Sequence, residues 1–316
     1  MPFATALLGL FFSSTLHAAP LKQTAPSSQA MRDLQTLASA EMQGRGIGTE
    51  GSERARNYIL KRIAEIGLKP CSSQFITEFN VKARNTSESI GRNVIACQPG
   101  KTTSADYIVV SAHYDHLGVN NQKIYFGADD NASGVAGVIA VAEYFKHKTP
   151  TNNIVYAFFD GEEIGLKGAA AFIKQQTITL NKIVANINFD MIARGDKNVL
   201  FASGSYQTPA FRTLLSDLNG RYGIQLQFDH DRPEQGTNDW TNQSDHYVFY
   251  TAGIPHLYFG VEDHVDYHKP SDTADKVNPV FFNGAIELLQ NAIDIIDKAS
   301  VTVDFRAERK KYKMPD

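Results

Sequence analysis

Residues 107–118 read Tyr-Ile-Val-Val-Ser-Ala-His-Tyr-Asp-His-Leu-Gly, and residues 127–134 read Gly-Ala-Asp-Asp-Asn-Ala-Ser-Gly. The run 107–112 is short, apolar and rich in β-branched residues, the pattern of a buried strand. His113 and Asp115 stand at its C-terminal end, and a run with helical character starts near Ser133. Ligands in open α/β sheets collect at the carboxyl ends of strands. A lone His-x-Asp is a common surface loop, so the weight falls on what ends the later strands. Residues 153–159 form an apolar run closed by Asp160-Gly161-Glu162-Glu163. Residues 183–189 form another, closed by Asp190. Residues 255–259 form a fourth, followed by a loop that contains His264, Asp266, His268 and Asp272. Four strands that each end in acids or imidazoles point to a metal centre.

Working outward, strands are expected at 107–112, 153–159, 183–190, 198–202, 224–228 and 255–259. Helices are expected at 133–147, 166–176, 208–219, 243–251 and 278–299. Such alternation predicts one doubly wound α/β domain. Ahead of it, residues 31–38 and 53–66 carry helical periodicity, with Gly67 suited to the position after the second helix. Two strands near 74–80 and 93–97 flank a polar turn, which makes the expected sheet mixed and mostly parallel, twisted and flanked by helices. Cys71 and Cys97, the only cysteines, sit at the outer ends of this hairpin and are expected to pair. The 316 residues are 42% hydrophobic and 21% charged, ordinary for a globular chain. A formal net charge of -3 argues against a nucleic-acid partner.

The ends read differently. Residues 1–19 are apolar or small and close on Ala18-Ala19, which predicts a signal peptide. The apolar run is too short to span a bilayer, and no later run is long enough. Export follows from that reading, to the periplasm or medium of a bacterium. The expected division is therefore a signal peptide over 1–19, an exopeptidase domain over 20–300 and a basic, solvated tail over 301–316, which holds Arg306, Arg309, Lys310, Lys311 and Lys313.

In their order and wording these motifs resemble the di-zinc aminopeptidases of metallopeptidase family 28, from about Leu37 to Val280. Ala-His-Tyr-Asp at 112–115, Gly-Ala-Asp-Asp-Asn-Ala-Ser-Gly at 127–134, Gly-Glu-Glu-Ile-Gly-Leu-Lys-Gly at 161–168, Asn-Phe-Asp-Met at 188–191 and Tyr-His-Lys-Pro-Ser-Asp-Thr at 267–273 carry the resemblance. Gly44-Arg45-Gly46 and the residues after it also look like bacterial members. The stretch is not a phosphate loop, because no strand precedes it and no Lys-Ser/Thr pair follows. The resemblance implies two Zn2+ per chain: one on His113 and Asp190, the other on Glu163 and His268, with Asp130 shared. It also implies a cis peptide bond after Asp130.

Glu162 is left as the candidate general base. Asp115 and Asp272 are candidates for holding the ligand imidazoles in place, since metal-bound His usually donates its other N–H to an acceptor. Asp129 is read as a turn cap, His264 as a rival to His268, and His116, His246 and His256 as loop or packing residues. Tyr247, His246 and Asn242 stay open as oxyanion donors. The expected substrates are peptides with a free N-terminus. A carboxypeptidase would need cations for the terminal carboxylate, and Arg194 is the one suspect. A glutaminyl cyclase of this fold would work with one zinc. A non-catalytic binding protein would have lost ligands or the base, and here all six residues are present.

Overall fold

The structure, a computed structural model, describes residue 1 and residues 28–81, 89–101 and 106–310. The expected signal peptide and the last residues of the tail lie outside these. Two helices come first, α1 (Gln29–Leu37) and α2 (Glu50–Ile66). Thr49 caps the start of α2 by accepting from the Ser52 N–H. Gly67 ends it at φ 91°, and the N–H groups of Gly67 and Leu68 both return to the Ile63 carbonyl. This is the left-handed cap that a glycine supplies at least cost.

Strands β1 (Lys69–Pro70), β2 (Ile76–Val81) and β3 (Ser89–Gln98) follow, then β4 (Tyr107–His113). A small hairpin of β5 (Val119–Asn120) and β6 (Lys123–Ile124) stands apart from the main sheet. After it come α3 (Gly134–Phe145), β7 (Asn153–Phe159), α4 (Lys167–Gln175), β8 (Ile183–Phe189), β9 (Val199–Ser203), α5 (Ala210–Leu215), β10 (Gln225–Gln227), α6 (His246–Thr251), β11 (His256–Gly260) and α7 (Pro279–Ala299). The expected mixed α/β sheet is what forms. Among the described residues it has nine strands, ordered β1-β3-β7-β4-β8-β11-β9-β10, with β2 also on β3. The early hairpin supplies the antiparallel edge, and β9 runs antiparallel to β11. Cys71 and Cys97 are joined as a disulfide.

β4 is the pivot. Its neighbours β7 and β8 both run parallel to it, one on each side. The chain therefore goes from β4 to β7 on one flank and crosses to β8 on the other. Such a reversal opens a crevice at the strands' carboxyl ends. Every residue from Ile108 to His113 is buried, as expected of a strand covered on both faces. Ile108, Val110 and Ala112 enter the large core shared with α1, α2, α3 and α7. Val109 enters a second core with Phe159, Phe172 and Phe249 beneath α4 and α6. Two packed faces thus fix the height at which His113 leaves the sheet.

One expectation fails at the C-terminus. Part of the stretch read as a solvated tail forms α8 (Phe305–Lys310). Phe305 is buried and stacks on Phe211, while Arg306 donates to the Leu180 and Ile183 carbonyls and Arg309 to that of Tyr250. One aromatic anchor outweighs the run of cations around it. No helix among the described residues is long and apolar enough to cross a membrane.

Candidate metal centre

The residues singled out at the strand ends converge. His113 ends β4, Asp190 follows β8, Glu162 and Glu163 follow β7, Asp130 precedes α3, and His268 lies in the loop after β11. Two donor sets form around Asp130. In the inner set His113 Nε2 is 3.4 Å from Asp130 Oδ1 and 3.3 Å from Asp190 Oδ1. In the outer set His268 Nε2 is 3.1 Å from Asp130 Oδ2 and 3.3 Å from Glu163 Oε2. Donors about 2.0–2.1 Å from a tetrahedral ion stand about 3.3–3.4 Å apart. His113, Asp130 and Asp190 form one group compact enough for a metal; Asp130 and Glu163 form a second with His116, and His268 stands at a like distance from both carboxylates. The donors are nitrogen and oxygen without thiolate, as zinc accepts. Each oxygen of Asp130 serves a different set.

The supports are largely backbone. Asp115 accepts from the N–H groups of Glu162 (3.0 Å) and Glu163 (3.4 Å), while its carbonyl lies 3.1 Å from His113 Nδ1. Asp272 does not do what its spacing from His268 suggests. Its carboxylate accepts from the N–H groups of Asp129 and Asp130, and so anchors the shared acid. The Asp130–Asn131 peptide bond is cis. Asn131 ties this turn to the end of β8, donating to the Phe189 carbonyl and accepting from Gly134 and Met191. Asp129 accepts from the Ala193 N–H, and His264 faces it at 3.3 Å, away from the two donor sets. That removes His264 as a rival to His268.

Sequence reasoning missed three parts. The first is a buried chain of hydrogen bonds beneath the inner set. Asn186 donates to Ser111, Ser111 to Asn188, Asn188 to Ser244, and Ser244 to Asp190 Oδ2 at 2.7 Å. Polar side chains inside fully buried strands were the available signal. The second is His116, whose Nδ1 lies 2.6 Å from Glu163 Oε1; only its place three residues after His113 hinted at this. The third is Arg45, fully buried, which donates to the carbonyls of Leu37, Tyr114, Phe126 and Gly127 at 2.7–2.8 Å. Burial pulls its guanidinium down to about 10, against the opposing field of Asp130 and Asp272.

Charge in the crevice is poised for cations. Burial pushes the Glu162 carboxyl well above the usual range, with Asp245, Asp190 and Glu163 adding to it against the pull of His113. Burial opposes protonation of His113, but Asp190, Glu162 and Asp130 outweigh it and raise the imidazole. Asp130 is held low despite burial, because three imidazoles face it. These residues line an open cleft of about 480 Å³ whose other walls include Met191, Trp240, Tyr247 and Tyr258. Among the described residues that line it, none is Lys or Arg. Arg194 is committed to Asp266 at 3.3 Å. Of the three oxyanion candidates, Asn242 and Tyr247 line the cleft. His246 is buried against the Trp240 carbonyl and leaves the list.

The model of Peptidase family M28 matches residues 93–292. The vacuolar membrane protease of Schizosaccharomyces pombe is 25% identical over 305 residues, covering 91% of this chain and 33% of that protein. This chain spans about a third or less of the length of such relatives. Among solved structures, a zinc aminopeptidase from Bacillus subtilis aligns with a TM-score of 0.68 at 16% identity, over 84% of this chain and 93% of that one. A glutaminyl cyclase from Porphyromonas gingivalis aligns at 0.66 and 16%, over 84% and 96%. The expected location in a bacterial periplasm or medium is corrected by the first group. Relatives that match over most of this chain include proteases of a fungal vacuolar membrane, beside the alkaline phosphatase isozyme conversion protein of Escherichia coli, 28% identical over 68% of this chain and 64% of that protein.

Proposed function

The chain belongs to peptidase family M28, and from that premise we propose that it is a di-zinc aminopeptidase, removing N-terminal residues from peptides. The observation that carries the reading is the pair of donor sets joined by Asp130, with Glu162 beside them in a cleft whose described lining residues include no Lys or Arg. His113, Asp190 and Asp130 would hold one zinc, and Glu163, His268 and Asp130 the other. Bound zinc lowers the pKa of water to about 7 and polarises a carbonyl.

The chain's own residues supply the rest. Glu162 takes a proton from the attacking water and passes it to the leaving amine; such a group contributes about 10²–10⁴ in rate. Glu162 and Asp263, the lining acids that hold no metal in this reading, suit a free α-ammonium group. Arg194, the residue a carboxypeptidase would need, is engaged by Asp266, which it shares with Lys276.

The test uses metal analysis together with two substrates. Two zinc ions per chain and cleavage of Leu-p-nitroanilide, but not of N-acetyl-Leu-p-nitroanilide, support the reading. Full activity with one tightly held metal would sink the two-metal part. Equal cleavage of both substrates would sink the exopeptidase part.

A further inference from the structure

His116 is absent from the ligand set that the resemblance implies, yet it stands close enough to Asp130 and Glu163 to form a compact donor group with them, and its side chain is fully buried at the centre. Its ring packs on the backbone of Gly127, where a Cβ would lie 2.5 Å from the imidazole Cδ2. Gly127 also has φ 57°, so only glycine suits this turn. The remaining nitrogen, Nε2, is buried without a partner. Everything polar that His116 reaches is therefore reached through Nδ1.

The distances decide what Nδ1 does. It lies 2.6 Å from Glu163 Oε1 and 3.7 Å from Asp130 Oδ2. Two donors on one tetrahedral ion would be about 3.3 Å apart. The first distance is too short for that and the second too long. At 2.6 Å the contact is a short hydrogen bond, in which the tautomer with its proton on Nδ1 donates to the carboxylate oxygen. Glu163 is thus gripped at both ends, with Oε1 toward His116 and Oε2 toward His268.

We propose that His116 is a positioning residue for the outer metal: by donating Nδ1–H to Glu163 Oε1 it leaves Oε2 alone to serve as the ligand. The common arrangement has a carboxylate orienting a ligand imidazole. Here an imidazole orients a ligand carboxylate. A Glu side chain free to turn would lose rotamer entropy on binding metal. One already fixed loses less, so the outer affinity depends on a residue that never touches the ion.

The inference rests on the two-metal reading, and the experiment separates them. Zinc affinities are measured by chelator competition, with metal counted per chain, for the wild-type protein and for His116→Ala, His116→Gln and His116→Asn. Asn presents an N–H close to where Nδ1–H stands, and Gln presents it further out. Loss of an outer-sphere partner costs about 10–100-fold in metal affinity. The expected result is that loss at the outer site for Ala and Gln, near wild-type affinity for Asn, and an unchanged inner site in all three. Cobalt-substituted protein should keep the position of its visible bands in the Asn variant.

Asn losing as much as Ala, with shifted cobalt bands, makes His116 a ligand and overturns the proposal. An outer affinity indifferent to Ala overturns it too. So does loss of both metals, or of the fold, in all three variants, which reduces His116 to packing. A wild-type chain that takes up one metal sinks the two-metal reading and this inference together.

Discussion

The two halves of the metal centre share Asp130 and little else. The inner half is built on the sheet: His113 ends β4, Asp190 follows β8, and their side chains are 1% and 10% exposed. A chain of buried hydrogen bonds from Asn186 to Ser244 stands beneath it. The outer half leans on a loop. His268 is 41% exposed and sits at φ 53°, whereas Glu163, 6% exposed, is held against His116; the looseness lies in His268 alone. Two sites of similar spacing thus differ in how firmly their donors are held. Preorganised ligands bind at less entropic cost, so the inner half should hold metal tightly and the outer half exchange it.

The largest effect should come from the residue that belongs to neither half. Glu162→Gln should lower kcat by about 10²–10⁴ while both metals stay bound. Glu163→Gln should instead empty the outer half, and added zinc should partly restore activity. If Glu162→Gln loses metal and Glu163→Gln keeps it, the two roles are reversed. Next comes the pair of imidazoles. His268→Ala should leave one tightly held metal per chain by elemental analysis. His113→Ala should remove the inner metal and weaken the outer one, because Asp130 then loses its fixed partner. Equal loss from both variants would erase the distinction between the halves.

Smaller and more local is Ser244→Ala, which frees Asp190 Oδ2. Inner affinity should fall by about 10–100-fold with the outer unchanged. Acidity tests what the halves share. A metal must displace the proton from a ligand imidazole. His113 is raised well above 6.5 by its carboxylates against burial, and His268 is raised first through its bond to Asp130. Both groups stay protonated to a higher pH than a free imidazole does. Affinity in both halves should therefore keep rising with pH beyond 6.5. Titrations at a series of pH values, fitted site by site, check this. The smallest effect on the centre should follow removal of the disulfide. Cys71→Ala with Cys97→Ala opens a loop of sequence separation 26, worth about 3 kcal/mol of stability, and should leave both metal affinities alone.

Legibility in the sequence followed the same divide between strand and loop. The strands and the acids at their ends stood out because apolar runs and their terminators are local signals. The pairing of Cys71 with Cys97 could be read from their places at the ends of one hairpin. What escaped depended on partners far away in the chain. Ser111, Asn186 and Asn188 are polar residues inside buried strands, and such local misfits tend to mark functional places. His116 looked like any loop histidine until Glu163 was brought to it. Asp272 was assigned by its distance from His268 along the chain, yet it serves the amides of Asp129 and Asp130. Hydrogen-bond direction cannot be read from spacing in a loop. The hairpin of β5 and β6 escaped for another reason: two-residue strands have no periodicity to detect.

Arg45 bears on where the working unit begins. The family match covers residues 93–292 and contains every candidate ligand. A polypeptide trimmed to that span would nonetheless lack Arg45, and the carbonyls of Tyr114, Phe126 and Gly127 would face an empty hole where a guanidinium had been. Each buried acceptor left bare costs about 1–3 kcal/mol. All three lie in the segments that present His113, His116 and Asp130. The trimmed span would also cut α7 short of Ala299 and leave Cys97 without Cys71. The ancestry visible in the sequence and the piece of chain that can stand alone thus have different borders. The first is drawn by the ligands, the second by one cation that binds nothing but backbone.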